Sequence, residues 1–333
     1  MSSVVYFQLL SIKVVLSLYL CFLFSGFVWA LCHLCFVLLT LMEYFIHLAI
    51  LVGIYAILAL SLNLAVGYTG ILSVTHAAFF GIGAYATAIL MTRYSVNFFF
   101  AIIVGAVVTG VISLLIGRVL SKFRGDYVAL GAVGFNMIVW SIFLNWQELT
   151  RGPLGIPGIH RPELSIGNME YSFTSNISFL LLTSVFLLLV YLVCRHITES
   201  SFGRALKAIR EDEEALAVFG YRTLYYKLAV FVVGAMLASV AGALFASYIT
   251  FIDPSTFMVS ESIFILSSII LGGLASNKGA IIGAVVLILL PEFLRFVGFP
   301  SDIAAQTRQA VYGLMLILLM LYRPQGLVGE YKL

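Results

Sequence analysis

Apolar stretches of about twenty residues recur along this chain, and they leave few folds open to it. A helix needs about 20 such residues to cross the ~30 Å hydrocarbon core of a bilayer. Ten stretches qualify: residues 14–40, 44–62, 76–91, 98–117, 126–146, 177–194, 226–250, 261–275, 280–297 and 306–322. The third and the eighth are short, a length that suits a tilted, broken or re-entrant helix. The chain is 62% hydrophobic and only 10% charged, whereas a soluble domain carries roughly 25% charged residues. Lipid offers no partner to a backbone N–H or C=O, so such segments must be helical or form a closed barrel. The expected fold is an all-α, polytopic membrane protein of about ten transmembrane helices, forming a single transmembrane domain over residues 1–333.

Charge sets the orientation. Lys and Arg accumulate in short cytoplasmic loops. With loop 195–225 in the cytoplasm, that side holds Lys13, Arg118, Lys122, Arg124, Arg195, Arg204, Lys207, Arg210, Arg222, Lys227, Lys278, Arg323 and Lys332. The other side holds Arg93, Arg151, Arg161, Arg295 and Arg308. Thirteen against five places both termini in the cytoplasm, and the net charge of +3 reflects topology instead of affinity for nucleic acid. The first apolar run, 14–40, is longer than the core of a signal peptide, about 7–15 residues, and is expected to be the first span. The outer loop 147–176 carries Pro153, Pro157 and Pro162 with Gly152, Gly155 and Gly158, which predicts turns.

Loop 195–225 is the one strongly charged stretch. Within it, 202–218 predicts an amphipathic helix with Phe202, Leu206, Ile209 and Leu216 on one face. Arg204, Lys207, Arg210, Glu211 and Glu214 project elsewhere, and Gly220 is placed to cap the C-terminus. Such a helix is too charged to span. It either anchors the loop to the membrane surface or docks on a partner protein. An anchor on anionic lipid favours basic residues with few acids, whereas Glu211, Asp212, Glu213 and Glu214 run together here, which favours docking.

A second irregular stretch is 63–76, where Gly67, Thr69 and Gly70 interrupt the helical pattern around Asn63, Tyr68, Ser73 and His76. Polar groups at membrane depth belong against the bundle or a cavity, and broken helices recur at transport sites. The same residues also fit an ordinary turn between two spans. Elsewhere, Gly234, Ala238, Gly242 and Ala246 recur every four residues and predict close helix packing. Glu261, Glu292 and Arg295 fall near expected helix ends, where snorkelling accounts for them. Cys32 and Cys35 form a CxxC inside an apolar run, more in keeping with apolar packing than with a metal or redox site. No catalytic residue, metal site or resident cofactor is expected. The sequence holds no GxxxxGK[ST], so no ATP is bound through a P-loop.

SSFGRALKAIREDEEALAVFGY (200–221) closely resembles the branched-chain amino acid permease family of ABC importers, in its second-permease branch. Glu214-Ala215-Leu216 followed by Gly220 looks like the coupling motif of such permeases. LNLAVGYTGILSVTHAAFFGIGAY (62–85), LGGLASNKGAIIGAVVLILLPEFLR (271–295) and LYRPQGLVG (321–329) resemble three further segments of that family, in order. Thr75, Leu154 and Lys278 depart from its pattern, and residues 1–45 show no specific match. The resemblance implies a permease subunit that performs no covalent chemistry and sits in a bacterial inner membrane, with 147–176 as a periplasmic loop. It implies that Arg204, Lys207, Arg210, Glu213, Glu214, Ala215 and Gly220 couple it to ATPases. It tips Asn63, Tyr68, Thr69, Gly70, Ser73 and His76 toward the translocation pathway. The implied partners are two ATPase subunits that bind the ATP, a second homologous permease, a periplasmic substrate-binding protein and the lipid bilayer; nucleic acid is not among them. The implied cargo is a branched-chain amino acid, with urea, a short amide or another small polar solute as the alternative. An ion-coupled secondary transporter would need buried acids in mid-span, and Asp126 and Glu148 both lie beside loops. An intramembrane enzyme would need a nucleophile–base pair or metal ligands at helical spacing, which the sequence lacks.

The topology predicts that a cysteine at Ser201 reacts with a thiol reagent from the cytoplasmic side and one at Ser165 from the outer side. The reverse labelling pattern refutes it.

Overall fold

A computed structural model describes residues 26–71, 73–123, 125–166, 169–296, 313–314, 317, 321 and 325–328. The chain divides into two compact units, Met1–His47 and Leu48–Leu333. The elements are α1 (Gly26–Leu62), which runs on into a π-helical turn at Asn63–Gly67, then α2 (His76–Tyr94), α3 (Phe98–Leu120), α4 (Asp126–Asn145) and the short α5 (Gln147–Thr150). After three short strands come α6 (Asn176–Glu199), α7 (Ser201–Glu211), α8 (Glu213–Val218), α9 (Thr223–Ile249), α10 (Val259–Gly272) and α11 (Asn277–Phe296). The molecule is an all-α, polytopic membrane protein. Among the described residues five helices are long and apolar enough to cross a bilayer, or six if α10 and α11, bent by 120°, form one broken span.

Several expected spans map directly: 98–117 is α3, 126–146 is α4, 177–194 is α6 and 226–250 is α9. Others differ. The described part of 14–40 joins 44–62 in one continuous helix with no turn at 41–43; Leu41, Met42 and Glu43 include no Gly or Pro to break it. The short stretch 261–275 is the first arm of the bent pair α10–α11. Most of 306–322, and residues 14–25, lie outside the described residues.

Packing centres on α9. Its small-residue stripe faces α2: a β-carbon on Gly242 would run into the Phe80 carbonyl, and one on Gly83 of α2 would run into Ser239. Gly234, Ala238, Gly242 and Ala246 are all buried, as the four-residue spacing predicts. Helix α3 inverts the pattern of a soluble helix. Its inner face is mostly small, with Ala101, Gly105, Ala106, Thr109, Gly110, Ser113 and Gly117 beside Phe98, Ile102 and Leu120, and many of its large side chains, among them Phe100, Ile103, Val107, Val111, Leu114 and Leu115, are exposed. Small residues let backbones approach, and large apolar ones suit lipid tails. Leu181, Val185, Leu188, Leu189 and Leu192 of α6 form a similar exposed face.

The two ends of the bundle differ in charge as the sequence predicts. Gly117 faces Leu228 and Phe231, which puts Arg118 and Lys122 level with the start of α9 and hence with Arg222 and Lys227. At the same end Asn277 Nδ2 donates to Thr198 Oγ1 at 3.2 Å, next to Arg195 and Lys278. At the opposite end Arg93 donates to the Glu148 carbonyl, and Arg161 donates to the Thr174 carbonyl and lies 5.9 Å over the Tyr248 ring. The side chains of Lys13, Arg124, Arg295, Arg308, Arg323 and Lys332, and of Cys21, Cys32 and Cys35, lie outside the described residues.

Loop 147–176 forms turns and short strands, as its Pro and Gly content predicts. Strand β1 (Ile156–Pro157) pairs antiparallel with β4 (Phe251–Ile252), and Ile159 N–H donates to the Thr250 carbonyl at 3.2 Å. The loop is thus tied to the end of α9. Strands β2 (Glu163–Ile166) and β3 (Met169–Ser172) form a separate antiparallel hairpin.

Gly242→Leu should destabilise the detergent-solubilised protein by about 1–3 kcal/mol or more through overpacking, read as a fall of several degrees in its thermal unfolding midpoint. Gly134→Leu, at an exposed position with nothing within 4 Å of the new β-carbon, should leave that midpoint unchanged; equal behaviour of the two variants counts against the close α2–α9 contact.

Candidate functional site: a docking helix joined to two broken helices

The charged loop folds as two helices, not one. Ser200 caps α7, accepting from Gly203 N–H at 3.4 Å. Gly203, Ala205, Leu206 and Ile209 are buried, and Phe202 packs on Tyr226 with ring centroids 5.0 Å apart. At Asp212 the backbone leaves the helix, with φ −154° and ψ 101°. Its side chain accepts from Ala215 N–H at 2.9 Å and so caps α8, whose first turn holds Glu213 and Glu214. Acids there complement the helix dipole. The expected single helix over 202–218 is therefore corrected: the four consecutive acids that mark it as mixed-sign also supply the residue that interrupts it.

Helix α8 ends as expected on Gly220, at φ +86°. Gly220 N–H donates to the Ala217 carbonyl at 3.0 Å and Tyr221 N–H to the Leu216 carbonyl at 3.3 Å, a Schellman pair that needs a left-handed residue. No residue of α8 is buried. Val218 is 86% and Phe219 80% exposed, so Leu216 does not continue the buried face of α7. Glu213 pairs with Lys227 of α9, while Glu214 and Ala215 are exposed.

The basic residues of α7 divide as well. Arg204 is exposed. Lys207 Nζ lies 5.7 Å over the Tyr68 ring, and Arg210 Nη1 donates to the Gly67 carbonyl. Gly70, at φ +72°, lies under the Arg210 stem: a β-carbon there would be 3.1 Å from Arg210 Cγ. Lys207 and Arg210 thus turn inward instead of away from the bundle. They join the two sets of residues singled out in the sequence.

Most of the described part of segment 63–76 is interior, although Gly70 is exposed and Ile71 half-buried. Asn63, Tyr68, Thr69, Ser73 and His76 are all buried. Asn63 Oδ1 accepts from Ala275 N–H at 3.0 Å, tying α1 to the turn between α10 and α11. Gly67 permits this, because a β-carbon there would strike both Asn63 Oδ1 and Ala275 N. Thr69 Oγ1 donates to the Ala65 carbonyl at 2.5 Å, and Ser73 and Thr75 hydroxyls lie 2.8 Å apart. The chain then rises, and α2 begins at His76 beside Ser61: both His76 Nε2 and the Ser61 carbonyl face Gly234. Ser61 is six residues from Gly67, about 9 Å along a helix, so α2 starts inside the bundle. Ala77 N–H, at its first turn, donates to Ser262 Oγ of α10 at 2.8 Å.

Three further residues become visible only here. Tyr55 Oη donates to Glu261 Oε1 at 2.5 Å, although the sequence suggests a snorkelling acid at a helix end. Asn136 on α4 is fully buried, with neither of its amide atoms hydrogen-bonded among the described residues. Tyr85 stacks on Phe143 at 4.3 Å. The available signal was Asp253-Pro254, which marks a segment that turns inward before α10; a hydropathy window averages it away. Among the described residues no group of three or more His, Cys, Asp or Glu side chains could hold a metal ion.

Known proteins include relatives of this chain. Residues 44–320 match the model of the family described as "Branched-chain amino acid transport system / permease component". The LivM high-affinity branched-chain amino acid permease protein of Salmonella typhimurium is 33% identical over 302 residues, covering 85% of this chain and 69% of that protein. A probable LivM protein of Methanocaldococcus jannaschii is 25% identical over 322 residues, covering 84% of this chain and 91% of its own. The LivH permease of Salmonella typhimurium is 25% identical over 297 residues, covering 83% and 91%. No solved structure matches. With a family match across most of its length and a broken-helix bundle beneath a projecting charged helix, this chain belongs to the permease-component family of branched-chain amino acid transport systems.

Proposed function

We propose that this chain is one membrane-spanning permease subunit of an ATP-driven importer for branched-chain amino acids, seated in a bacterial inner membrane. It works beside a second, homologous permease, with two ATPase subunits at the basic end and a periplasmic binding protein at the other. The chain itself has no catalytic role, and the ATPases bind the nucleotide. The names of its relatives supply the cargo class. One observation carries the mechanism: α8 projects from the bundle with nothing buried, while α7 is locked to the break in α1.

The residues then share the work. Glu213, Glu214, Ala215 and the cap at Gly220 shape α8 as the docking element, and exposed Val218 and Phe219 offer an apolar face for a cleft on the ATPase. A displacement of α8 passes through the Asp212 joint to α7. Arg210 on the Gly67 carbonyl and Lys207 on the Tyr68 ring carry it to the π-turn. Asn63 on Ala275 N–H carries it on to the α10–α11 turn. Asn63, Tyr68, Thr69, Gly70, Ser73 and His76 are in this scheme the moving wall of the pathway. Alternating access follows if the two broken helices shift together as the ATPases close.

Two outcomes test this. Glu214→Lys, or deletion of 211–214, should abolish uptake and co-purification of the ATPase while leaving membrane insertion intact; normal amounts of bound ATPase would sink the docking assignment. Arg210→Ala should keep the ATPase bound but lower uptake into proteoliposomes about tenfold or more, the scale of a lost charge-assisted hydrogen bond. Uptake at the wild-type rate would remove Arg210 from the route.

A further inference from the structure

Glu261 lies in the first turn of α10, where an acid complements the helix dipole, yet its carboxylate also reaches across to another helix. Its hydrogen-bond donor, Tyr55, is twelve residues along α1 from Gly67, about 18 Å at helical rise. Gly67 marks the basic end of the bundle, where Arg210 binds it. Ser262, the next residue, binds the first turn of α2 beside Ser61, so Glu261 lies between about 9 and 18 Å along the bundle from Gly67, within the length of the spanning helices. A carboxylate there faces a bundle interior, a partner or a water-filled cavity, because lipid does not solvate it. The Glu261 carboxylate accepts from Tyr55, and the backbone N–H of the same residue donates to the Met258 carbonyl at 3.0 Å. Glu261 and Tyr55 are both half-buried as residues, and Met258, Ser260 and Ile263 around Glu261 are exposed.

The surroundings are built instead of incidental. Phe264 packs edge-on against Tyr55 with centroids 5.7 Å apart, which fixes the phenol that holds the carboxylate. Helix α10 begins only two residues before Glu261, and its Ser262 accepts from the first turn of α2, so two helices start at this level. Leu51 and Val52, one turn along α1, are also half-buried and supply apolar surface. A hard divalent cation needs about six or more oxygen ligands, far more than one carboxylate and one phenol offer. A primary ammonium beside an aliphatic group fits what is present.

We propose that Glu261, oriented by Tyr55, binds the ammonium group of the amino acid as it crosses the membrane. This rests on the transport function proposed above and names the group that recognises the cargo within the span. The carboxylate offers a charged acceptor where the ammonium has left water. The adjoining residues of α1 and α10 accept the aliphatic side chain.

The test uses the complete transporter, with both permeases, ATPases and binding protein, in proteoliposomes supplied with leucine and ATP. Glu261→Gln should lower leucine uptake at least about tenfold, with ATP hydrolysis stimulated by the binding protein staying within about twofold of wild type. Tyr55→Phe should give a smaller fall in uptake per ATP, and Glu261→Asp should recover part of it. Wild-type uptake per ATP in both Glu261→Gln and Tyr55→Phe overturns the assignment. So does loss of the second permease from the purified Glu261→Gln complex, which would make the carboxylate an interface residue. A requirement of wild-type uptake for a sodium or proton gradient overturns it in favour of ion coupling. Wild-type vesicles that hydrolyse ATP but import no branched-chain amino acid would instead fail the transport reading itself.

Discussion

In lipid, a backbone N–H or C=O that leaves its helix must find a partner inside the protein, at a cost of several kcal/mol if it does not. Much of the architecture follows from how this chain meets that demand at its broken helices. Where α1 ends, Arg210 takes the Gly67 carbonyl. Where α2 begins, Ser262 takes the Ala77 amide. In the turn between α10 and α11, Asn63 takes the Ala275 amide. Leu327 and Val328 donate to the carbonyls of Leu271 and Gly272 at 3.0 and 2.9 Å. Each repair comes from a different element, so the breaks are stitched to one another. A segment that cannot satisfy itself is thereby coupled mechanically to its neighbours.

Around these breaks the unbroken helices supply a frame. Helix α9 lies against α2 at backbone contact because Gly83 and Gly242 have no side chain to intervene. Association of helices in a membrane rests on such contacts and not on hydrophobic exclusion from water. Many large side chains of α3 and α6 consequently face outward. The frame and the stitched breaks are distinct parts: backbone contact holds one, and polar bonds between elements hold the other.

In the function proposed above, the α7–α8 pair links the bundle to the docked ATPase. Asp212 ends one helix and caps the next, which separates an anchored half from an exposed half within a dozen residues. Lys207 and Arg210, expected on a face other than the apolar one, reach the Tyr68 ring and the Gly67 carbonyl. Their long stems and charged heads let them lie along a protein surface while reaching a carbonyl and an aromatic face. This is why the two motifs noticed separately in the sequence belong to one device.

Much of this was legible in the residues alone. Span positions such as 98–117 and 226–250, the charge difference between the two ends, the packing stripe on α9 and the Gly220 cap all follow from local composition and spacing, which depend on near neighbours only. The family followed from motifs whose order a single chain displays. What the sequence could not reveal is where a segment sits in depth. Residues 63–76 and 251–262 are short and polar enough to pass for surface turns, and Glu261 for an interfacial acid. Only the tertiary structure places His76 beside Ser61 and Glu261 beside Tyr55, because those contacts join residues 15 and 206 positions apart. Depth in a membrane is a property of the assembled bundle: hydropathy tells which residues lipid will accept, and packing decides which of the others are carried inside.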